Sequence, residues 1–297
     1  MLFLKNKGAL CVLAAAVLWG GIGIFVDNMK RLGVSSLNIV FLRSLFTVLI
    51  LGVFLAIKSP KDFKISPRDL PLFAGNGLLS VVMFTYCYYK TIMLSTFSVA
   101  AVLMYTAPIF VMIISVLFFR ERITVRKLLA LAVAFTGCAL VSGIVGTAVK
   151  ISGAALGFGL LTGFGYSLYT IFGSCLILRG YKTFQIIFFT FLFAVVGSAI
   201  LLAVTGETNP LTYSYEAWIW AFLMAIFNTI LPYFFYTYGL KLTDATTAPI
   251  IATVEPVAAT VVGLFYHQRL TFFGALGIAL VLSSVIIINT KDKKCKE

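Results

Sequence analysis

The chain has 297 residues, of which 61% are hydrophobic and 11% are charged, against about 45–50% apolar and about 25% charged residues in soluble proteins. A mean hydropathy of +1.06 cannot be hidden in one soluble core, because small domains keep much of their surface exposed. This composition excludes an ordinary globular enzyme, a disordered chain and a coiled coil. The net charge of +13 is spread through short segments, which is typical of a membrane protein and not of a nucleic-acid-binding domain.

Hydropathy predicts ten membrane-spanning helices, because about 20 mostly apolar residues are needed to cross a bilayer. In chain order they lie near residues 8–26, 36–57, 70–89, 96–119, 128–145, 153–178, 183–205, 217–240, 245–266 and 272–288. The first apolar run is longer than the core of a removable signal peptide, so it is predicted to be the first span. The segments between the spans are short, which predicts an all-α membrane protein without a soluble domain.

The basic residues predict the orientation of these spans, because Lys and Arg accumulate on the cytoplasmic side of a membrane. If both termini are cytoplasmic, 17 of the 23 basic residues fall in inside segments, five fall in outside segments and Arg43 lies within a span. This bias predicts a multi-pass protein of the plasma (inner) membrane with both termini in the cytoplasm.

An internal repeat is predicted, with five helices in residues 1–147 and five in residues 148–297. The run SLNIVFLRSLFTV at 36–48 aligns without gaps with TFQIIFFTFLFAV at 183–195, and five positions are identical. Self-similarity at a fixed period is the signature of a repeated architecture. The second span of each half is therefore predicted to be equivalent.

The fourth span of each half supports the same repeat. An alanine precedes a proline by eight residues at both 100–108 and 248–256, and the spans end in LFFRERIT (117–124) and LFYHQRLT (264–271). Because each repeat has an odd number of helices, the second copy must enter the membrane from the opposite side. The loop at 120–127 has four basic residues and its counterpart at 267–271 has one, so the second copy has lost most of the charges that would fix the wrong orientation.

Four runs of the sequence carry a resemblance to a known family. They are LWGGIGIF (18–25), FLRSLF (41–46), YYKTIMLSTFSVAAVLMYTAPIF (88–110) and GLKLTDATTAPIIATVEP (239–256). Together with the five-plus-five organisation they resemble the drug/metabolite transporter superfamily, and specifically its EamA family, over essentially the whole chain. The resemblance implies ten transmembrane helices in two inverted five-helix repeats, and a transporter rather than an enzyme. It does not imply a substrate, because members of the family move very different solutes. Residues 267–269 depart from the family pattern, which often has an acidic residue there.

Two ionisable residues are predicted to lie deep within spans, where a charge is costly and is a functional candidate. Glu255 is central in its span and precedes Pro256, which leaves the carbonyl of Ala252 without its usual helical donor. Its carboxylate is a candidate to bind a cationic substrate group or to carry a proton. Arg43 has two interpretations. It is either a receptor for a substrate carboxylate or phosphate, or a structural residue that holds backbone carbonyls or pairs with Glu255.

Aromatic and amide side chains within the spans complete the predicted substrate site. Transporters with inverted repeats bind their substrate near the bilayer midplane between the repeats, and core packing is the alternative for each of these side chains. They are Trp19, Tyr86, Tyr89, Tyr105, Tyr166, Asn228, Tyr233 and Tyr236, and Tyr169 is a further aromatic residue within a span. A buried tyrosine hydroxyl needs a hydrogen-bond partner, and Asn228 alternatively links helices.

The residues of several other chemistries are absent from the sequence. It has one histidine and contains no HExxH, GxSxG or Walker A motif, so no catalytic residue, cofactor or metal site is predicted. Coupling of transport to a proton or another ion is left open.

These features predict a secondary active transporter of small polar metabolites that works by alternating access, foremost an exporter of an amino acid or metabolite. An importer of an organic cation or small nutrient is the alternative, with Glu255 and tyrosines forming a box for the cation. A channel or an intramembrane enzyme is a third option. The expected partners are a small-molecule solute and the lipid bilayer, with no nucleic acid, and the chain is expected to be a monomer or a homodimer.

Overall fold

The computed structural model describes residues 6–145, 151–207, 209–265 and 270–290, which are helical and contain no strand. Half of the exit run predicted at 264–271, including the departure at 267–269, lies outside the described residues. The fold is therefore an all-α arrangement, as the composition predicts.

Ten helical segments follow one another along the described chain. Their bounds are α1 Lys7–Arg31, α2 Ser36–Lys58, α3 Pro67–Leu94, α4 Phe97–Phe119, α5 Val125–Val141, α6 Gly153–Leu178, α7 Thr183–Thr205, α8 Tyr215–Leu240, α9 Thr247–Phe265 and α10 Phe272–Asn289. Nine segments of the described chain are long and apolar enough to cross a membrane. The exception is α5, whose 17 residues fall short of the usual length of about 20. A multi-pass membrane protein is confirmed, and the tenth span stays a prediction.

Several helices begin at the same kind of cap, a serine or threonine whose hydroxyl accepts a hydrogen bond from the backbone N–H three residues later. This bond satisfies one of the free donors at a helix N-terminus. The capping residues are Ser35, Thr96, Thr124, Ser152 and Thr271. Short polar residues between the apolar runs therefore set where the helices start.

The main helix contacts come in equivalent pairs when α1–α5 are matched in order with α6–α10. Equivalent helices pack against each other in the pairs α2–α7 and α5–α10. The contact of α1 with α8 has its counterpart in α6 with α3, and the contact of α1 with α9 has its counterpart in α6 with α4. The two halves of the described chain thus make the same set of contacts.

The α5–α10 pair is held by direct backbone contact between two glycines. A Cβ atom on Gly137 would lie 2.9 Å from the carbonyl oxygen of Gly277, and one on Gly277 would lie 2.7 Å from the carbonyl oxygen of Gly137. Small residues that let helices approach closely are typical of helix packing in membranes. This seam fixes the short α5 against its longer partner.

Five segments are interrupted near their middle, and four of these five form equivalent pairs. Both α3 and α8 contain a π-helical stretch, Leu78–Met83 and Ala225–Ile230. Both α4 and α9 break two or three residues before a proline, and α1 breaks at Gly21. Such interruptions leave backbone N–H and C=O groups without their usual helical partners. In membrane proteins, interrupted helices occur where these groups are buried in protein or line a water-filled cavity.

Salt bridges gather at one end of the bundle, which we call the basic end and define by the loops 59–66, 120–124, 179–182 and 241–246. Each of the four carboxylates there has a cationic partner. The ion pairs are Asp62–Lys182 at 2.8 Å, Asp69–Arg179, Glu121–Lys127 at 3.4 Å and Asp244–Lys127 at 3.1 Å. Three of the four pairs join the first half of the chain to the second.

At the opposite end of the bundle, hydrogen bonds rather than ion pairs join the two halves. Ser35 donates to Glu207, and the Asn38 amide lies 3.1 Å from the hydroxyl of Tyr213. The two ends of the bundle therefore differ in the kind of contact that joins the halves, with ion pairs at the basic end and hydrogen bonds at the opposite end.

Candidate functional site

The break in α9 sets the position of Glu255. Pro256 has no N–H, and its ring would clash with the carbonyl of Ala252 in a continuous helix. The first half of α9 accordingly ends at Ala252, a turn follows at residues 253–254, and the second half begins at Glu255. The half-buried carboxylate thus stands at the N-terminus of a half-helix, where a negative charge is stabilised by the helix dipole.

An equivalent break in α4 carries no charge. The first half of α4 ends at Met104, and the second half begins with Ala107 and Pro108. Ala107 occupies the position that Glu255 has in α9, directly before the proline. The repeat therefore supplies the same backbone geometry twice but a carboxylate only once.

Glu255 is hydrogen-bonded to a tyrosine and forms no ion pair among the described residues. The hydroxyl of Tyr166 donates to Oε2 of Glu255 at 3.2 Å. The Tyr166 ring also contacts Phe84 and Trp19, with ring centroids 5.5 and 6.4 Å apart. The buried Tyr105 of α4 lies within electrostatic reach of the same carboxylate. One face of Glu255 is thus covered by aromatic rings.

The rings of Trp19, Tyr166, Tyr169, Tyr233 and Tyr236 form one group at the centre of the bundle, which we call the aromatic cluster. Ring centroids of neighbouring members lie 4.8–6.4 Å apart, and most pairs meet edge to face, the preferred geometry of aromatic rings. The members come from α1, α6 and α8, so both halves of the chain contribute.

Hydroxyl pairs satisfy two of the buried tyrosines. The hydroxyl oxygens of Tyr169 and Thr237 are hydrogen-bonded at 2.7 Å, and those of Tyr236 and Thr170 are hydrogen-bonded at the same distance. The cluster encloses a cavity of about 10 Å³, which is room for about one water molecule. In this conformation the centre of the bundle is closed around polar groups that a solute would have to reach.

Arg43 lies on α2 and is 7% exposed. Its Nε is buried and has no hydrogen-bond partner, and Arg43 forms no ion pair among the described residues. The guanidinium lies within electrostatic reach of Tyr89 and Tyr233. The pairing of Arg43 with Glu255, one of the two structural interpretations, is not present in this structure.

The counterpart of Arg43 in the aligned second half is Thr190, whose hydroxyl has a hydrogen-bond partner. The amide of Asn76 donates to Thr190 Oγ1 at 2.7 Å, and Ser80 contacts Asn76 in turn. A buried polar group that makes a hydrogen bond costs less than one that makes none. The two equivalent positions therefore differ, because the buried Nε of Arg43 has no such partner.

Asn228 connects two interrupted helices. It lies in the π-helical stretch of α8, and its Nδ2 donates to the carbonyl of Leu18 at 2.8 Å. That carbonyl stands three residues before the break in α1 at Gly21. The Oδ1 atom of Asn228 is buried without a partner. The amide thus links α8 to α1 and keeps one acceptor free beside the aromatic cluster.

The remaining predicted residues lie farther from this centre. Tyr86 is 38% exposed and its ring lies under the Lys90 ammonium at 5.6 Å. Tyr89 has the Lys30 ammonium 5.3 Å from its ring on one side and Arg43 within electrostatic reach. Arg43 lies within electrostatic reach of Tyr233. Seven of the other nine predicted site residues are brought together by the structure, namely Trp19, Tyr105, Tyr166, Asn228, Tyr233, Tyr236 and Glu255.

A groove of about 550 Å³ lies at the opposite end of the bundle, beside the half-helix of α9 that begins at Glu255. It runs between the second halves of α1 and α9 and the start of α4, and its lining includes Gly20 and Ala259. A Cβ atom on Gly20 would lie 2.8 Å from the backbone carbonyl oxygen of Glu255. Only glycine lets α1 approach the α9 backbone so closely, so the contact between these two helices forms one boundary of the groove.

Comparison with known proteins then decides the family. A model of the EamA-like transporter family matches residues 6–143 and again residues 153–290. The chain belongs to the EamA-like transporter family. The two matched stretches fall on the two halves that make equivalent helix contacts.

Relatives of this EamA-family chain carry transporter names. An "uncharacterized transporter" of Archaeoglobus fulgidus is 29% identical over 94% of this chain and 95% of its own length. The "uncharacterized inner membrane transporter YicL" of Salmonella typhimurium is 29% identical over 97% of each chain. A solved crystal structure that is 12% identical superposes with a TM-score of 0.78 over 94% of this chain and 95% of its own, which shows a shared fold. The chain is thus a membrane transporter.

Two site residues of this EamA-family protein were not predicted from its sequence, Thr170 and Thr237. Each follows a tyrosine of the cluster by one residue and shares its helical face with another, since Thr170 lies four residues after Tyr166 and Thr237 lies four residues after Tyr233. Residues four apart lie on one face of a helix. Applying that spacing to the tyrosines would have found both hydroxyls.

Proposed function

We propose that this protein is a secondary active transporter that binds a small polar metabolite between Arg43 and Glu255. The observation that carries the proposal is that these two residues, of opposite charge, are within spans and neither is neutralised by an ion pair among the described residues. An unpaired charge in the membrane interior costs about 2.5–3.5 kcal/mol on insertion scales. A solute that carries the complementary charges would offset that cost.

The proposed solute is zwitterionic, and an amino acid is the simplest example. Arg43 would bind a carboxylate, for which the planar guanidinium is well suited. Glu255 would bind an ammonium group, and the rings around Tyr166 would add cation–π attraction. Asn228, Tyr233 and Tyr236 would line the space between, with Trp19 and Tyr105 closing it. We propose export as the direction of transport, with a proton or another ion carried by Glu255.

The proposed mechanism is alternating access by movement of the two repeats. The basic end is tied by ion pairs between the halves, while the opposite end has a groove that is lined by residues of α1, α4 and α9. Movement that opens the basic end and closes the groove would present Arg43 and Glu255 to the other side. The equivalent helix contacts of the two halves support ten helices in two repeats, which we propose are inverted. In alternating access, each inverted repeat takes the conformation that the other one had before.

A second candidate function is import of an organic cation. Tyr166 donates a hydrogen bond to Glu255 and packs against the rings of Trp19 and Phe84, which favours a cationic group at that end of the site. A cation without a carboxylate would leave Arg43 unused. The two candidates therefore differ in whether binding depends on Arg43.

The transport proposal is tested by binding followed by flux. Purified protein is screened by thermal unfolding against amino acids, amines, nucleosides and organic acids, because a solute that binds only the folded state raises its apparent melting temperature. The stabilising solute is then measured in proteoliposomes. A carrier accelerates uptake when the same solute is present inside, whereas a channel does not. Uptake that is independent of inside solute would contradict the proposal, and so would chemical conversion of the solute by the purified protein.

The orientation is tested by labelling single cysteines with a reagent that cannot cross the membrane. We propose that both termini are cytoplasmic in the plasma membrane, so a cysteine at Lys61 or Arg126 should react only from the cytoplasm and one at Asn209 only from outside. Reaction of all three from the same face would contradict the inverted-repeat topology. The oligomeric state, proposed as monomer or homodimer, follows from the mass of the purified particle.

A further inference from the structure

A second cavity, of about 350 Å³, lies at the basic end and is separate from the candidate solute site. It is formed by the C-terminal ends of α2 and α8 and the N-terminal end of α7. Neither Arg43 nor Glu255 contributes to its lining. Its walls differ in chemistry, with aromatic rings along the helices and lysines at the loops.

The aromatic wall is a continuous row of four rings. Centroids of Phe54 and Phe184 lie 4.9 Å apart, those of Phe184 and Phe234 lie 4.8 Å apart, and those of Phe234 and Tyr238 lie 6.0 Å apart. The rings of the last two pairs are nearly parallel, at 21° and 12°. Phe54 and Tyr238 are 39% and 43% exposed. Because these rings lie on spans, the exposed row faces the region that lipid occupies.

The lysines at the rim carry an excess of positive charge. The Lys182 ammonium lies 2.8 and 3.0 Å from the two carboxylate oxygens of Asp62, so that pair is balanced. Lys241 forms no ion pair within the described part of the chain. Partial burial lowers the pKa of the Lys241 ammonium group below its ordinary value. Lys241 is exposed and lines the cavity, so its unbalanced positive charge is open to an anion from outside the protein.

We propose that this cavity binds an anionic phospholipid, with the headgroup phosphate at Lys241 and Lys182 and an acyl chain along the row of rings. A phosphate supplies the charge that the rim lacks, and an acyl chain covers the apolar wall in the lipid phase. A free phosphate ion would satisfy the rim but leave the rings uncovered. The position of Lys241 directly after the last residue of α8 places its ammonium where basic residues contact anionic headgroups.

The test is thermal unfolding of the purified full-length protein in detergent with added phosphatidylglycerol, with phosphatidylcholine of the same chains, or with sodium phosphate. We expect phosphatidylglycerol to raise the melting temperature more than either of the others, because binding to the folded state alone stabilises it. The Lys241→Gln variant should lose most of that extra shift, and Lys241→Arg should keep it. Arg68→Gln is the matched control, because Arg68 is exposed at the same end and forms no ion pair with any residue that the structure describes, and it should behave like the unchanged protein.

Three outcomes would overturn the proposal. They are equal shifts with the anionic and the zwitterionic lipid, an equal shift for Lys241→Gln and the unchanged protein, and a shift with inorganic phosphate as large as that with phosphatidylglycerol. None of these readouts uses the solute of the transporter, so failure of the lipid site and failure of the proposed function are distinguishable.

Discussion

Among the described residues, the carboxylates of the basic end have cationic partners, whereas the carboxylate in the middle of the bundle has none. At the basic end Asp62, Asp69, Glu121 and Asp244 each pair with a lysine or arginine. In the middle, the hydroxyl of Tyr166 is the one side-chain partner of Glu255 among the described residues. Pairing is absent where an unpaired charge is most costly.

This difference separates a structural role from a binding role. The chain has a cation within spans, Arg43, yet the fold does not bring it to Glu255 as an ion pair. Charges at the basic end join the halves of the chain, and in the function proposed above the charges in the middle bind a solute. Each of the following predictions tests one side of that contrast.

The largest effect is expected from Glu255→Gln. The substitution keeps the shape of the side chain and an acceptor for Tyr166 but removes the charge. Transport of the solute found by screening should fall about 100-fold, since loss of one partner of a buried charge pair costs about 2–5 kcal/mol. The measurement is counterflow into proteoliposomes, with Glu216→Gln as the control because Glu216 is exposed in the first turn of α8. Equal flux in the two variants would remove Glu255 from the site.

A smaller effect, on stability alone, is expected from Lys127→Gln at the basic end. Lys127 is 6% exposed and contacts both Glu121 and Asp244, so its removal should lower the free energy of unfolding by about 1–3 kcal/mol. Solute affinity should stay unchanged. Denaturant titration with and without solute checks both. Arg68 is exposed, so the control Arg68→Gln should change the free energy of unfolding by less than about 0.5 kcal/mol. A loss of solute affinity in Lys127→Gln would contradict the separation of a structural basic end from a solute-binding middle.

Tyr166→Phe should weaken solute binding by about tenfold, which corresponds to about 1.4 kcal/mol. The ring stays in the aromatic cluster, but Glu255 loses its one hydroxyl donor and becomes less well positioned. Solute titration of melting temperature gives the affinity. Tyr215→Phe serves as control, because Tyr215 is 74% exposed. An affinity equal to that of the unchanged protein would show that Tyr166 does not position the carboxylate.

The smallest effect is expected for the coupling between Arg43 and Glu255. Because they form no ion pair, the stability changes of Arg43→Ala and Glu255→Gln should add to within about 0.5 kcal/mol in a double-mutant cycle without solute. Melting of the four proteins checks this. A coupling well above that value would mean that the two charges do pair in the solute-free protein, and the contrast with the basic end would disappear.

The sequence predicts much of the fold because the relevant signals are local. Apolar length predicts the spans, and Pro256 predicts the break that carries Glu255. The length of α5 was not predictable, since its apolar run continues beyond Val141, where the helix ends. The π-helical stretches of α3 and α8 could not be predicted from hydropathy either, because they lie within continuous apolar runs.

The candidate site is less predictable because it depends on which helices meet. The tyrosines of α6 and α8 could be chosen as candidates, but their common contact with Trp19 requires α1 to pack against α8. The lack of an Arg43–Glu255 ion pair likewise depends on the placement of α2 relative to α9. Tyr86 has the residue type of the site and lies on the outside instead. Tertiary packing decides these points.

The central claim, that the unpaired charges of the middle form a solute site, is tested most directly by solute binding to three proteins. Melting temperatures of the unchanged protein, Arg43→Ala and Glu255→Gln are measured with a stabilising zwitterion, with its analogue lacking the carboxylate, and with its analogue lacking the amine. The account predicts that the zwitterion stabilises the unchanged protein most, that Arg43→Ala no longer distinguishes the zwitterion from the amine, and that Glu255→Gln no longer distinguishes it from the acid. The same preference for the zwitterion in all three proteins would contradict it.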